Sequence, residues 1–317
     1  MKVSFVIPCY RSEKTIEAVV DEIKSTMQER PGVDYEIVMV SDHSPDGVYN
    51  VIERMCKCDP LHLHGLELAK NFGQQSALMA GYSRTNGDIV FSLDDDGQAP
   101  VDAIWRVVDE IVKGGYDVVY GTYPEKRHGQ LRNIGSAINH WMGVWLVGKP
   151  KELHTTSFNA ARRFIIDEIL KYRGPYVYIG GLFFRITRNI GKVEVRHRKR
   201  LDGTSGYTLT KLVALWMNGF TAFSVKPLRL ATWSGLLCAS IGFVFGLVVV
   251  VKKLFFAPLV PMGYSSLMAV ILFVGGMIMF MLGLIGEYIG RIYISINQSP
   301  QYVISKATRS AIQERSL

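Results

Sequence analysis

Two long stretches without a charged side chain constrain this chain more than any other feature. Residues 230–251 and 257–286 contain no Asp, Glu, Lys or Arg. A bilayer core of about 30 Å needs about 20 apolar residues in a helix, so each stretch is long enough to cross it. Uncharged runs of this length are rare in the core helices of soluble domains. We therefore predict a transmembrane hairpin over residues 226–290, with spans near 230–251 and 263–286.

Basic residues predict how this hairpin is oriented. Lys226 and Arg291 flank its outer ends, and more basic residues follow in the tail 291–317, whereas the connecting loop holds Lys252 and Lys253. The positive-inside rule then places both ends of the chain in the cytosol. We expect a multi-pass protein of the inner (plasma) membrane whose large N-terminal part, and any active site in it, faces the cytoplasm.

The overall charge and the cysteines limit the class of partner. The chain has 317 residues and a net charge of +8, which suits an acidic partner such as anionic lipid or a nucleotide. Nucleic acid is not expected, because the basic residues are spread along the chain and no recognition motif is present. Cys56 and Cys58 are too close together for a usual zinc pair, and we expect all four cysteines to be reduced, as in the cytosol.

The first half of the chain alternates short apolar runs with helical periodicity. Such alternation predicts an α/β domain over residues 1–225 with a mostly parallel sheet covered on both faces. The predicted strands are 3–7, 35–40, 64–68, 88–93 and 116–121, and the predicted helices between them are 15–27, 74–84 and 103–113.

Two later helices carry tryptophan on an apolar face. The helix predicted near 132–147 fits packing on the sheet and packing at the membrane interface equally well. The helix predicted near 207–219 leads into the first span, which favours the interface.

Three carboxylates follow the predicted strand 88–93. Asp94, Asp95 and Asp96 are adjacent, and ionised carboxylates this close repel unless positive charge offsets them. A divalent metal held against a diphosphate does so through hard oxygen ligands. Asp42 also follows a strand, and ligands of parallel sheets bind beyond the carboxyl ends of the strands. The alternative is an acidic loop that caps the next helix.

Five segments resemble motifs of family 2 glycosyltransferases, and the last is typical of the polyprenyl-phosphate glycosyltransferase subgroup. Residues 6–13 resemble Val-Pro-x-Tyr-Asn-Glu-Glu, 40–46 resemble Val-Asp-Asp-Gly-Ser-x-Asp, 69–74 resemble Arg-Asn-Phe-Gly, 94–100 resemble Asp-x-Asp-Leu-Gln-x-Pro, and 286–293 are similar to the end of the second span. The order of these motifs together with the hairpin makes the resemblance specific, and it covers nearly the whole chain.

The resemblance implies a GT-A type nucleotide-sugar-binding domain and a set of site residues. Residues implied to hold the nucleotide are Pro8, Tyr10, Glu13, Asp42, Asp94 and Asp95, with Asp42 accepting a hydrogen bond from a uracil N–H. Asp94 and Asp96 are implied to bind Mg²⁺ or Mn²⁺. Gln98 would lie near the donor sugar or the acceptor phosphate, which makes Asp96 and Gln98 catalytic candidates.

Basic residues before the first span are candidates for binding an acceptor phosphate. The family has a segment similar to Arg200-Leu-Asp-Gly-Thr-Ser205-Gly-Tyr207, and Arg127 and Arg132 precede a predicted interfacial helix. Arg200 is the strongest candidate and a catalytic one, because a guanidinium binds phosphate bidentately. The alternative is a solvated basic surface near anionic lipid.

Several positions depart from the family pattern. Ser41 and His43 replace Asp and Gly, Gly97 replaces Leu, and Ser157 lies where many relatives carry an Asp that has been proposed as catalytic. A hydroxyl acceptor needs a base, but a lipid phosphate, with a second pKa of about 6, is already largely dianionic. The missing carboxylate therefore favours a phosphate acceptor.

We thus expect an inverting transferase that moves a sugar from a nucleoside diphosphate, UDP-hexose by preference, to polyprenyl (undecaprenyl-type) phosphate. The resemblance also implies a homo-oligomer, a tetramer. The alternatives are transfer to a hydroxyl of a glycolipid or polysaccharide, and a non-catalytic nucleotide-binding membrane scaffold.

Overall fold

A computed structural model describes most of the N-terminal half of the chain and parts of the remainder. The described residues are 1–123, 155–174, 177–196, 263–297 and 299–308, with 232, 233, 235, 237, 240, 244 and 251. The chain divides into two compact units, Met1–Leu212 with Gln298–Leu317, and Val213–Asn297. The predicted helices near 132–147 and 207–219 lie outside the described residues, as does most of the predicted first span.

The first unit is an α/β domain built on one sheet. Its strands are β1 (Lys2–Cys9), β2 (Asp34–Ser41), β3 (Leu63–Leu68), β4 (Ile89–Ser92), β5 (Val118–Thr122), β6 (Asn159–Arg162), β7 (Ile190–Glu194) and β8 (Ile304–Ala307). Its helices are α1 (Ile16–Gln28), α2 (Val48–Cys58), α3 (Gln74–Tyr82), α4 (Ile104–Val112), α5 (Arg163–Leu170) and α6 (Ile179–Ile186), and a 3₁₀ turn, Val101–Ala103, precedes α4.

The sheet is mixed but mostly parallel, as the alternating pattern predicts. Its eight strands run in the order β7-β5-β6-β4-β1-β2-β3-β8. β1 is parallel to β2 and β4, β2 to β3, and β5 to β7. β6 is antiparallel to β4 and β5, and β8 is antiparallel to β3. The carboxyl ends of the central strands β4, β1 and β2 therefore lie side by side at the same end of the sheet.

Burial on both faces explains the apolar runs of the central strands. The β1 residues from Val3 to Cys9 are fully buried or nearly so, as expected for a parallel strand covered on both sides. α1, α2 and α4 pack in one cluster with Phe5 and its neighbours. α3 covers the opposite face so closely that a Cβ on Gly81 would lie 2.2 Å from Val6 Cγ1.

The strands and helices predicted before residue 122 are confirmed to within a few residues. The helix predicted over 74–84 ends at Tyr82, two residues early. No prediction from the sequence covers α2, or the described elements of the first unit after β5, which are β6, α5, α6, β7 and β8.

The C-terminal residues add the last strand of the sheet. β8 pairs with β3, and Lys306 forms an ion pair with Glu67 at 2.7 Å. The Thr308 hydroxyl accepts a hydrogen bond from the Gly65 N–H at 3.0 Å. The side-chain amide of Gln301 donates to the carbonyl oxygens of Tyr172 and Gly174, both at 2.8 Å. The segment expected only to be a tail thus closes the edge that β3 would otherwise expose.

The second unit contains one long described helix, α7 (Tyr264–Ile296), of 33 residues. Within it, Phe273–Ile294 has a mean hydropathy of 1.7 and is long enough to cross a membrane. The predicted span 263–286 falls almost wholly within α7, and the helix continues ten residues beyond it.

A buried polar cluster lies near the amino ends of the central strands. Glu36 in β2 is 1 % exposed. Its carboxylate accepts hydrogen bonds from the Ser4 hydroxyl at 2.6 Å and the Asn86 N–H at 2.5 Å, and pairs with the Lys2 ammonium at 2.8 Å. These donors allow the carboxylate to remain ionised inside the domain.

Candidate active site

The three adjacent carboxylates after β4 separate into two groups. Asp95 turns toward the loop after β1, where its Oδ2 accepts the Tyr10 N–H at 2.9 Å. Its carbonyl oxygen accepts the Thr15 hydroxyl at 2.7 Å. Burial raises the pKa of Asp95 to about 6, although the Tyr10 N–H opposes that shift. Asp95 therefore ties the β4 end to the start of α1.

Asp94 and Asp96 both lie near the Tyr123 phenol. Burial first, and then the charges of both carboxylates, raise the pKa of the Tyr123 phenol. Gly97, at a left-handed φ of 73°, turns the chain after Asp96, and the Gln98 N–H then donates to Asp96 Oδ1 at 3.0 Å. The two carboxylates predicted to bind metal therefore both act on Tyr123, and the Gln98 backbone binds one of them.

Two neutral side chains hold the Asp94 carboxylate. The side-chain amide of Gln74, at the first position of α3, donates to Oδ1 at 2.8 Å. The Ser157 hydroxyl, just before β6, donates to Oδ2. Sequence reasoning did not assign these two contacts. Ser157 is therefore hydrogen-bonded to one of the two carboxylates predicted to bind metal, where it orients that carboxylate.

The pair of carboxylates fits a divalent cation that also binds its substrate. Among the described residues, no group of three or more His, Cys, Asp and Glu side chains could enclose a metal ion. Mg²⁺ characteristically takes one or two carboxylates and completes its shell with water and substrate phosphates. The Asp94 and Asp96 oxygens match that requirement, and Mn²⁺ accepts the same donors.

Asp42 anchors the loop that leads into α3. Only 4 % exposed, it accepts the Phe72 N–H on Oδ1 at 2.7 Å and the Gly73 N–H on Oδ2 at 2.8 Å. Burial raises the pKa of Asp42, and these two donors oppose the shift only in part. Each oxygen keeps a second lone pair, so a base contact stays a prediction beside this structural role.

The other residues implied to hold the nucleotide surround the carboxyl end of β1. Pro8 is a buried residue of β1, and Tyr10, directly after the strand, is 44 % exposed. Glu13 Oε2 accepts the Gly47 N–H at 3.0 Å, so this carboxylate also fixes the β2–α2 loop. Tyr10 is therefore exposed next to Asp95, which its N–H contacts, whereas Glu13 has a structural contact as well.

The candidates for the acceptor phosphate lie outside the described residues. They are Arg127, Arg132, Arg200 and Ser205. Their role stays a prediction. Of the four cysteines, Cys9, Cys56 and Cys58 are described, and each is a free thiol.

Comparison with protein families gives two separate matches. Residues 4–170 match the family described as glycosyl transferase family 2. Residues 226–292 match the family described as the GtrB C-terminal hairpin. The second match agrees with the hairpin predicted over 226–290.

The similarity to two curated proteins extends over almost the whole length of the chain. It is 33% identical over 308 residues to undecaprenyl-phosphate 4-deoxy-4-formamido-L-arabinose transferase of Proteus mirabilis (strain HI4320), covering 96% of this chain and 93% of that protein. It is 30% identical over 309 residues to the SfII prophage-derived bactoprenol glucosyl transferase of Shigella flexneri, covering 98% and 99%.

A solved structure supports the fold of the first unit. Glucosyl-3-phosphoglycerate synthase from Mycobacterium tuberculosis, crystallised with Mn²⁺, UDP-glucose and phosphoglyceric acid, matches with a TM-score of 0.52 at 21% identity. The match covers 68% of this chain and 76% of that one. The GT-A type fold expected from the sequence is confirmed.

Proposed function

Since the chain belongs to glycosyl transferase family 2, we propose that it transfers a sugar from a nucleoside diphosphate to undecaprenyl phosphate at the cytoplasmic face of the inner membrane. It is a glycosyltransferase associated with the membrane through its C-terminal hairpin. UDP is the proposed nucleotide. The proposed domains are a catalytic domain over residues 1–225, a hairpin over 226–290 and a tail over 291–317. The proposed assembly is a homo-oligomer, a tetramer.

The observation that carries the proposal is what the two relatives have in common. Their names specify different sugars, a formamido-arabinose and a glucose, but both specify a polyprenyl carrier as acceptor. Similarity to both extends over at least 96% of this chain. The acceptor class is therefore better supported than the identity of the sugar.

The site geometry fits chemistry that needs no general base. An oxygen of the lipid phosphate attacks the anomeric carbon as the bond from that carbon to the nucleoside diphosphate breaks, which inverts the centre. The acceptor is already an oxyanion at neutral pH, since its second pKa is about 6. Ser157, bound to Asp94, has no proton to remove in this scheme.

The residues of this chain then position the reactants. Asp94 and Asp96 would hold a divalent cation, which when bound neutralises charge on the diphosphate leaving group. Tyr10, Pro8, Glu13 and Asp42 would bind the nucleoside. Arg200, with Arg127, Arg132 and Ser205, would hold the acceptor phosphate, and Gln98 would lie near the reacting groups.

The test uses the full chain in nanodiscs with radiolabelled nucleotide sugars. Each donor is offered with a short-chain polyprenyl phosphate or with the matching polyprenol, and the labelled lipid is extracted. We expect product from the phosphate and not from the polyprenol, and its loss in Asp94→Asn and Asp96→Asn. Asp21→Asn, an exposed carboxylate on α1, is the matched control.

Two results would contradict the proposal. Equal transfer to polyprenol would indicate a hydroxyl acceptor, and nucleotide binding without transfer from any donor would indicate a scaffold. Full activity in excess chelator would show that the enzyme needs no metal, but it would not contradict the proposed acceptor.

A further inference from the structure

Two residues after adjacent strands have a left-handed backbone. Arg11, after β1, has a φ of 59°, and His43, after β2, has a φ of 49°. In the part of the chain that the structure describes, they are the only residues other than glycine with positive φ. A Cβ makes this conformation uncommon, and glycine, asparagine, aspartate and histidine adopt it more readily than arginine. The chain nevertheless carries two large, exposed basic side chains there.

Hydrogen bonds between the two loops hold these conformations in place. The Arg11 N–H donates to the Ser44 hydroxyl at 2.8 Å, and the Glu13 N–H donates to Asp46 Oδ2 at 3.0 Å. The Gly47 N–H returns a bond to Glu13 Oε2 at 3.0 Å. The β1–α1 and β2–α2 loops thus form one cross-linked unit. Backbone strain persists where the surroundings over-determine it, and such places cluster at functional sites.

The strand order places this unit to one side of the metal pair. β4, β1 and β2 are neighbours in that order, and Asp94, Arg11 and His43 follow them respectively. Two strand spacings separate β4 from β2, about 10 Å. A donor whose diphosphate lies at Asp94 and Asp96 can therefore extend its nucleoside across the ends of β1 and β2.

The side chains at this end suit a flat, polar group. The Arg11 guanidinium lies 5.6 Å from the centroid of the Tyr10 ring, and Tyr10 is 44 % exposed. Guanidinium and aromatic planes both stack on planar ligands. His43 follows Asp42 directly and adds a second hydrogen-bonding ring at the same edge.

We propose that Arg11 and His43 contact the nucleoside end of the donor and determine how tightly the base is bound. Arg11 stacks on the base together with Tyr10, and the His43 imidazole hydrogen-bonds to a base or ribose oxygen. The strained backbone at both positions is retained because it directs these side chains to the ligand. This inference rests on the proposed nucleotide-sugar donor.

The test separates the effect of losing the side chain from the effect of relieving the backbone by substituting both Gly and Ala at each position. Arg11→Gly and Arg11→Ala both remove the guanidinium, but only Gly relieves the left-handed strain. We expect both to weaken UDP binding to the same extent, roughly 3- to 30-fold for a lost stacking cation. Arg11→Gly should melt at a higher temperature than Arg11→Ala. His43→Gly and His43→Ala should behave in the same way.

Binding is measured by calorimetry on the full chain in micelles with Mn²⁺, using UDP and inorganic diphosphate. Diphosphate affinity should be unchanged in all four variants, because the contacts are to the nucleoside. Arg54→Ala, which removes an exposed guanidinium on α2, controls for the loss of positive charge.

The possible outcomes distinguish this inference from the proposed function. Wild-type UDP affinity in all four variants overturns the inference, and so does an equal loss for UDP and diphosphate. A wild-type protein that binds none of UDP, GDP, CDP and dTDP overturns the proposed donor instead.

Discussion

The carboxylate of Asp94 depends on two neutral partners, and their loss should be measurable. Gln74 and Ser157 each bind one of its oxygens. Partners of this kind orient a metal ligand, and removing one typically costs about 10- to 100-fold in metal affinity. We expect Gln74→Ala and Ser157→Ala each to weaken Mn²⁺ binding by about that factor, measured by the electron paramagnetic resonance of free Mn²⁺. Activity should return at saturating Mn²⁺.

Ser83, a serine that does not contact Asp94, provides the control for Ser157→Ala. Ser83 donates to the Ala80 carbonyl oxygen at 2.7 Å at the end of α3, and Ser83→Ala should leave Mn²⁺ affinity unchanged. If Ser157→Ala binds Mn²⁺ normally but stays inactive at saturating Mn²⁺, Ser157 takes part in the reaction itself and the positioning role is wrong.

The sequence indicates Asp94 and Asp96 as candidate metal ligands but not the side chains that hold Asp94, for a physical reason. Adjacent carboxylates after an apolar run are a local pattern, visible without a fold. Ser157 is 63 residues from Asp94 and reaches it only because β6 lies antiparallel beside β4. No local periodicity encodes that pairing.

At the scale of elements, the pairing of β8 with β3 has a testable energetic role. Gly65 is buried, and its N–H donates to the Thr308 hydroxyl. Thr308→Val keeps the shape of the side chain but leaves this donor without the hydroxyl, at a cost of about 1–3 kcal/mol. We expect hydrogen exchange at the Gly65 amide to accelerate accordingly, because this edge then opens more easily.

Ser305→Ala is the matched control on the same strand. Its exposed hydroxyl donates to the Glu67 carbonyl oxygen at 3.0 Å, and its loss should change stability by less than about 0.5 kcal/mol. Equal exchange rates in wild type and Thr308→Val would show that β8 does not stabilise this edge.

Elements differ in how far the sequence predicts them. β1 and β2 are long, apolar and buried, so their composition alone identifies them. β6 reads Asn-Ala-Ala-Arg and β8 reads Ile-Ser-Lys-Ala, four residues each with little apolar character. Their partners, not their composition, make them strands.

At the scale of the molecule, acid stability and activity should be governed by opposite ends of the sheet. Burial alone would raise the pKa of Glu36, but the Asn86 N–H, Lys2 and Ser4 outweigh it and lower that pKa. Arg30 lowers the pKa of Asp109 to about 2. A lowered folded-state pKa stabilises the protein above the ordinary carboxyl value of about 4, and that contribution is lost as the pH falls through the folded-state pKa.

The pKa shift of Asp95 has the opposite sign. Its pKa of about 6 favours the folded state as the pH falls from 6 toward 4. We therefore expect the melting temperature to rise slightly as the pH falls from about 6 toward 4, and to fall below about pH 4. Activity should decline earlier, near the acceptor's second pKa of about 6.

Glu36→Gln tests whether Glu36 causes the loss of stability in acid. It leaves buried donors facing an amide, so we expect a loss of about 1–3 kcal/mol at pH 7 and a shallower fall of the melting temperature in acid. An unchanged acid slope would assign the loss to other carboxylates.

The position of β8 in the chain also determines when the sheet can be completed. Its residues follow α7, so the ribosome synthesises the whole hydrophobic hairpin before it reaches the strand that covers β3. Until then the growing domain has an open, pairing-competent edge at β3, of the kind that recruits strands from other chains. Synthesis of the hairpin therefore precedes completion of the sheet, and a fragment that stops before the hairpin lacks its own eighth strand.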